Sequence, residues 1–219
     1  MPKSRIIFNR IIQLIYPLFA YFLIYNSLYM LTNNIWGGFM PPLFWLGVSA
    51  AITIVVIFFI YVRLPIVRNT KFYNRDTFKW EILGIVAVVF VGILLNVLFT
   101  KLGILQISES YTKANEVLYS GNIICKIIVN CMLIPVLEEL VYRGCICGQL
   151  KMWLGMWPAV IISALIFGMM HMNLVQFLYA SVMGIALGYV YSKTDKLHLT
   201  ILAHGLTNLV VVLTTIVGG

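Results

Sequence analysis

Glu138 and Glu139 are adjacent carboxylates in a stretch, residues 129–141, that is otherwise almost entirely apolar. A carboxylate at membrane depth is costly unless it is paired, protonated or faces a wet cavity. Glu139 lies four residues before Arg143, so on a helix these two side chains can form an ion pair. Glu138 has no such partner in its own segment, which makes it a candidate general base.

Two histidines supply further groups that could act with this base. His171 and His204 lie within or at the ends of apolar runs. Phe167 precedes His171 by four residues and Asn208 follows His204 by four, so that each pair would share a helix face. If the helices pack together, Glu138 and His171 can deprotonate a water molecule. His204 and the amide of Asn208 can donate hydrogen bonds to the oxyanion of an attacked carbonyl.

The residue types leave a metal site open as an alternative. Two histidines and one glutamate can form a catalytic zinc site, but the His-Glu-x-x-His spacing is absent from the chain. We therefore predict no cofactor, with zinc not excluded. Cys145 and Cys147 form a weaker metal candidate, and the spacing of the four cysteines is more typical of small apolar packing residues than of a disulfide framework. No serine in the apolar runs has a base at helical spacing, so the sequence gives little support for a serine nucleophile.

Composition predicts an all-α polytopic membrane protein in contact with the lipid bilayer. Of 219 residues, 62% are hydrophobic and 10% are charged. We expect about seven transmembrane helices, with the candidate site on the last four. The apolar runs cover about 11–32, 43–62, 81–100, from 122 to just past the two glutamates, 152–171, 174–191 and 199–217. Without an internal repeat or a linker, the chain is predicted to be a single transmembrane domain, with N-terminal spans in 1–120 and a catalytic core in 121–219.

The net charge of +8 is distributed between loops rather than collected in one patch. With alternating spans, twelve of the lysines and arginines fall on the N-terminal side, and only Lys101, Lys113 and Lys126 fall on the other. The positive-inside rule then predicts a multi-pass protein of the cell membrane with a cytoplasmic N-terminus. The same distribution argues against nucleic acid as a partner. The first apolar run is too long for a cleaved signal peptide.

Three short patterns occur in order on the last four predicted spans. They are Glu138-Glu139-x-x-x-Arg143, Phe167-x-x-x-His171 and His204-x-x-x-Asn208. Together they resemble the motifs of the CAAX protease and bacteriocin-processing family of intramembrane proteases. The resemblance covers about residues 122–217, and the N-terminal spans add nothing to it.

The resemblance implies an intramembrane endopeptidase acting on a membrane-anchored peptide or protein. Glu138, together with His171, would activate water, and His204 with Asn208 would stabilise the oxyanion. The ion pair of the first pattern would fix the helix that carries the base, and the phenylalanine of the second would pack beside the site. The family has been described both as metal-dependent and as metal-free. Its substrates are prenylated C-termini in eukaryotes, and leader peptides, pheromones or bacteriocin precursors in bacteria.

Two other functions fit parts of the same pattern. A non-catalytic membrane protein of this fold could give self-immunity to a bacteriocin or act as a regulatory partner, with the polar residues as interhelical hydrogen bonders. An intact set of four polar residues favours the enzyme, because such bonding would tolerate Gln or Ser. An ion or proton transporter using Glu138 is less favoured, because the sequence has no repeat symmetry.

The depth of His171 is the weakest point of the assembled site. If the spans are straight, Glu138 and His204 lie in the half of the membrane on the predicted cytoplasmic side, whereas His171 lies near the opposite end of the fifth span. The site requires either that this span begins deep, after Pro158, or that the connection at 172–173 folds back beside a wet cavity.

Three further residues have spacings that predict contacts. Tyr142 follows Glu138 by four residues and is placed to hydrogen-bond it. Gly184 and Gly188 form a Gly-x-x-x-Gly pattern, which predicts close helix packing within the chain rather than dimerisation.

Overall fold

A computed structural model describes residues 3–69, 71, 73–103 and 109–218, and this part of the chain contains helices and no strand. The predicted all-α class is confirmed. The helices are α1 (Lys3–Trp36), α2 (Pro42–Arg63), α3 (Phe78–Lys101), α4 (Glu109–Leu118), α5 (123–154), α6 (Met156–Met169), α7 (Leu174–Thr194) and α8 (Leu197–Gly218).

Helix α5 carries both glutamates and changes its winding along its length. Asn122 caps its first turn by accepting a hydrogen bond from the backbone N–H of Cys125, at 2.9 Å. Within α5, α-helical segments (Ile123–Ile128, Ile134–Glu139 and Gly148–Leu154) alternate with π-helical segments (Val129–Leu133 and Leu140–Cys147). Such π-helical turns are rare and occur frequently at functional sites.

Five helices of the described chain are long and apolar enough to cross a membrane, namely α1, α2, α3, α7 and α8. They match five of the seven predicted spans. The predicted fourth and fifth spans correspond to α5 and to α6, which is apolar but only 14 residues long. The structure thus has a polytopic membrane architecture, while the count of seven spans is not confirmed.

Two predicted boundaries are wrong because the chain turns at other residues. The run predicted to begin at Met152 is divided by Gly155, whose φ of +84° ends α5 and starts α6. The predicted loop 192–198 is mostly helical, because α7 continues to Thr194 and α8 begins at Leu197. Asp195, at φ 54°, makes the short left-handed turn between them.

Glycines let α6 and α7 approach each other closely. A Cβ added at Gly184 would lie 2.8 Å from the Cβ of Ala164, and one added at Gly188 would lie 3.3 Å from a methyl group of Val160. The Gly-x-x-x-Gly pattern therefore packs helix against helix within the chain, as predicted. This hairpin holds Phe167, at the end of α6, against the core formed with α5 and α2.

A buried ion pair joins α3 to the start of α8. Lys196 Nζ lies 2.7 Å from Glu81 Oε1, and the two residues are 1% and 4% exposed. Lys196 was predicted to be a loop cation, and Arg143 was counted with the basic residues of the N-terminal side although it was also predicted to pair with Glu139. Both are buried and paired. Without these two residues, ten of the twelve basic residues counted on the N-terminal side remain. The cytoplasmic N-terminus stays a prediction.

Replacing Lys196 with methionine is expected to destabilise the protein by about 3–5 kcal/mol, because the carboxylate of Glu81 would remain buried without its partner. Thermal unfolding in detergent measures the effect. Lys193→Met is the matched control, since Lys193 is exposed. The double variant Glu81→Leu/Lys196→Met should recover most of the loss. Equal unfolding temperatures for Lys196→Met and Lys193→Met would contradict the prediction.

Candidate active site

One cavity of about 290 Å³ brings together the polar residues of all three sequence patterns. Side chains from every helix named above contribute to its walls, as does the turn after α6. The predicted site residues that line it are Glu138, Phe167, His171, His204 and Asn208. Glu139 and Arg143 are buried in the protein beside it.

His204 lies between the two glutamates of α5. Its Nδ1 is 2.9 Å from Glu139 Oε1, and its Nε2 is 3.7 Å from Glu138 Oε2. The side chains of His204 and Glu138 are 10% and 13% exposed, so both reach the cavity while remaining largely enclosed. A carboxylate on Nδ1 fixes the imidazole's tautomer and directs Nε2 toward the cavity side.

Glu139 forms the predicted ion pair with Arg143. Arg143 Nη1 lies 2.9 Å from Glu139 Oε1, the same oxygen that His204 approaches, and the two side chains are 1% and 0% exposed. The guanidinium carbon of Arg143 also lies 4.7 Å from the centre of the Phe167 ring. One buried carboxylate thus connects an arginine of α5 to the histidine of α8.

His171 lies in the turn after α6, and its orientation follows from local hydrogen bonds. Its Nδ1 is 2.9 Å from the carbonyl oxygen of Phe167. Since a carbonyl only accepts, Nδ1 donates and Nε2 remains for another partner. Met172 takes a left-handed φ of 57°, and the Asn173 amide donates to the carbonyl of His171 at 3.1 Å while its oxygen caps α7. Helix α6 is therefore short and the chain folds back, so that His171 lines the same cavity as Glu138.

Asn208 is anchored by the first π-helical segment of α5. Its Nδ2 donates to the carbonyl oxygen of Asn130 at 2.8 Å, which leaves its second N–H for another acceptor. Gly205 permits this contact, because a Cβ there would lie 2.4 Å from the carbonyl oxygen of Cys131. The backbones of α5 and α8 therefore meet at the level of His204 and Asn208.

Gly205→Ala is expected to lower any activity of this site by about 10²-fold, because the methyl group would push α8 away from α5 and displace His204 and Asn208 by a fraction of an ångström or more. The measurement is the rate of peptide cleavage at saturating substrate. Gly38→Ala is the control, since no atom lies within 4 Å of a Cβ added there. Equal rates for the two variants would show that the close approach is not needed.

Sequence reasoning missed several polar residues that line the cavity. Asn130, Ile134 and Glu138 follow one another at intervals of four residues, and all three line the cavity. This helical spacing could have placed Asn130 on the same helix face as Glu138. Asn96 was an isolated polar residue in an apolar run. The remaining polar residues that were missed are Tyr25, Tyr111, Asn115, Tyr119, Gln176, Tyr179 and Thr207.

Tyr142, Cys145 and Cys147 are buried in the core. Tyr142 was placed to hydrogen-bond Glu138, but the contacts described for it are ring contacts with Tyr21 and Phe167, at centroid distances of 5.9 and 4.8 Å. Cys145 and Cys147 are free thiols buried in the core, as small packing residues are.

Two histidines and a glutamate face the same cavity, the residue types of a catalytic zinc site. Among the described residues, no three or more His, Cys, Asp or Glu side chains converge as metal ligands would. The Nδ1 of His204 and that of His171 are both engaged, with Glu139 and with the carbonyl of Phe167. Engagement of Nδ1 leaves the Nε2 atoms of both histidines as the nitrogens that a metal ion could bind. The absence of a cofactor therefore stays a prediction, and the reaction proposed below is written without a metal.

The fold and the cavity define a polytopic α-helical membrane protein with an enclosed group of carboxylate and imidazole side chains. Residues 120–210 match the family described as Type II CAAX prenyl endopeptidase Rce1-like. A relative from Bacillus subtilis (strain 168), named "Putative membrane peptidase YdiL", is 28% identical over 176 residues, which are 77% of this chain and 70% of the relative. No solved structure matches the chain. The two matches confirm the resemblance to the CAAX protease and bacteriocin-processing family and point to a CAAX-type membrane peptidase.

Proposed function

We propose that the protein is an intramembrane endopeptidase that hydrolyses a peptide bond of a membrane-anchored substrate with a water molecule activated by Glu138. The observation that carries the proposal is the convergence of Glu138, His171, His204 and Asn208 on one enclosed cavity. The apolar helices exclude bulk water, so these side chains are the groups that can hold and activate a single water molecule there.

The first step is attack of water on the scissile carbonyl. The carboxylate of Glu138 accepts a proton from the water, and the Nε2 of His171 accepts a hydrogen bond from the remaining O–H. The water oxygen bonds to the carbonyl carbon, whose own oxygen becomes an oxyanion. The second N–H of the Asn208 amide and a protonated Nε2 of His204 donate to that oxyanion.

The second step breaks the carbon–nitrogen bond. Glu138 returns its proton to the leaving nitrogen, which departs as an amine, and the oxyanion collapses to a carboxylic acid. One water molecule is consumed, no electrons are transferred, and the base is regenerated.

Glu139 acts as a positioning residue for His204. Its carboxylate accepts a hydrogen bond from Nδ1–H and stabilises the positive charge of a ring protonated at both nitrogens, so that Nε2 can donate to the oxyanion as well. Arg143, which shares the same carboxylate oxygen, balances its charge inside the core.

Cleavage by the purified protein tests this proposal. The protein in detergent is incubated with a library of membrane-anchored peptides, and products are identified by mass spectrometry with and without a chelator. We expect defined products whose yield the chelator does not change. Loss of products on chelation would replace the glutamate mechanism with a metal mechanism. Absence of products from the whole library would favour the non-catalytic alternative, a protein of self-immunity or regulation.

A further inference from the structure

A second chamber, of about 460 Å³, continues from the catalytic cavity and is formed by α3, α4 and the end of α8. We name it the α4 chamber. It shares four polar side chains with the catalytic cavity, and the shared residues are Asn96, Tyr111, Asn115 and Tyr119. Thr100 and Thr215 extend it further toward the ends of α3 and α8. A molecule held at Glu138 can therefore reach directly into the α4 chamber.

The chamber is tied to the site by hydrogen bonds. The Nδ2 of Asn130 donates to the carbonyl oxygen of Leu118, at the end of α4, at 2.6 Å. The carbonyl of the same asparagine receives the Asn208 amide. The hydroxyl of Ser120 accepts from the backbone N–H of Leu43, at 3.0 Å, which fixes the end of α4 on α2. Helix α4 therefore belongs to the framework that positions Asn208.

The walls of the α4 chamber carry amides, phenols and hydroxyls, and none of the described residues that line it is charged. Amide and phenol groups both donate and accept hydrogen bonds, as the N–H and C=O groups of a peptide backbone require. A long hydrocarbon such as a prenyl chain would cover the amides of Asn96 and Asn115 without offering them a hydrogen bond. A charged side chain would meet no counter-ion among the described residues that line the chamber.

We propose that the α4 chamber binds an extended, uncharged stretch of the substrate's peptide chain next to the scissile bond, with Asn96 and Asn115 bonding its backbone. The inference rests on the proposed function, since it assigns the substrate's polar segment to one side of the same site. It predicts a preference for residues such as Gly, Ser and Gln in that stretch, and discrimination against Asp and Lys.

Binding to an inactive protein tests the chamber separately from catalysis. The probe is a fluorescein-labelled peptide of Gly, Ser and Gln joined to one apolar transmembrane segment, and its anisotropy is followed with Glu138→Gln protein in nanodiscs. In that background Asn96→Leu/Asn115→Leu should raise Kd about tenfold, because two hydrogen bonds to the peptide are lost. Asn26→Leu is the control, since Asn26 is exposed on α1 and its side chain donates to the carbonyl of Phe22 in the same helix.

Tyr119→Phe provides a milder variant that keeps the ring and removes one hydroxyl, and it should raise Kd by a few fold. Two further probes should bind more weakly than the first: the same peptide with Asp and Lys in its polar stretch, and the transmembrane segment alone. An unchanged Kd in the asparagine and tyrosine variants would overturn the proposal that the α4 chamber binds the peptide. So would equal binding of the charged probe, or no saturable binding of the first.

Cleavage by proteins that keep Glu138 separates the two proposals. The asparagine variants should raise KM with little change in kcat, because the chamber lies away from the reacting atoms. If the native protein cleaves nothing while the chamber variants still weaken binding of the probe, the proposed function fails and the chamber stands. If cleavage proceeds and neither KM nor Kd responds, the function stands and the chamber fails.

Discussion

Replacing Glu138 with glutamine is expected to lower the rate of peptide cleavage by about 10²–10⁴-fold, the range that a positioned general base contributes. The amide keeps the shape of the side chain and its capacity for hydrogen bonds, but it cannot take a proton from water. The Nε2 of His204, 3.7 Å from the Glu138 carboxylate, faces the same cavity and cannot substitute for it while donating to the oxyanion. The measurement is kcat on the best peptide of the library.

Asp76→Asn is the matched control, because it makes the same chemical change at an exposed residue of the connection between α2 and α3. Its kcat should equal that of the native protein. The Glu138→Gln protein should still bind the peptide, since the walls of the cavity are unchanged. Equal cleavage by native and Glu138→Gln proteins would remove Glu138 from the mechanism. A cell that retains the protein's function with Glu138→Gln would point to immunity or regulation.

Local spacing predicted the contacts that lie within one helix. Glu139 and Arg143 pair because residues four apart are neighbours on the surface of an α-helix. The π-helical segment that begins at Leu140 keeps this contact, with Arg143 Nη1 at 2.9 Å from Glu139 Oε1. The pairing of Gly184 and Gly188 with α6 followed in the same way from small residues on one face. These predictions need only the period of a helix.

Contacts between helices were predictable only as far as the family resemblance grouped the residues. No spacing indicates that His204 touches Glu139 rather than Glu138 alone, since 65 residues separate them and the register of α8 on α5 depends on Gly205. The proposed roles of the site residues stay predictions. The resemblance contained no information on α4, whose part in the cavity depends on Asn130 and on the way the chain returns from α3.

Charge counting failed where a loop cation was in fact buried. Lys196 and Arg143 look like the basic flanks of apolar runs, and the positive-inside rule treats them as such. Each instead has a carboxylate within 3 Å, namely Glu81 or Glu139. Both carboxylates lie in apolar runs. The four-residue spacing predicted that Glu139 pairs with Arg143, but no spacing links Glu81 to Lys196, which is 115 residues away.

Glu139→Gln is expected to lower kcat by about 10³-fold or more, although Glu139 does not contact the substrate in the proposed reaction. The neutral amide would no longer stabilise a His204 ring protonated at both nitrogens, so Nε2 would lose the proton that it donates to the oxyanion, and the ring would be held less firmly in place. The fall should appear in kcat with little change in KM, because the lost interaction acts on the transition state. The pH dependence of kcat should change as well, since it reports groups of the enzyme–substrate complex.

Arg143→Gln separates this effect from a loss of stability. Both substitutions break the same ion pair, at 2.9 Å, and both leave a buried charge, so both should lower the unfolding free energy by about 3–5 kcal/mol. Only Glu139→Gln also removes the partner of His204. If the two variants lose stability equally and Glu139→Gln loses far more kcat, the carboxylate positions His204. Equal losses of kcat would instead assign Glu139 to the packing of α5 alone, and the orientation of His204 would then have to come from the close contact of α8 at Gly205.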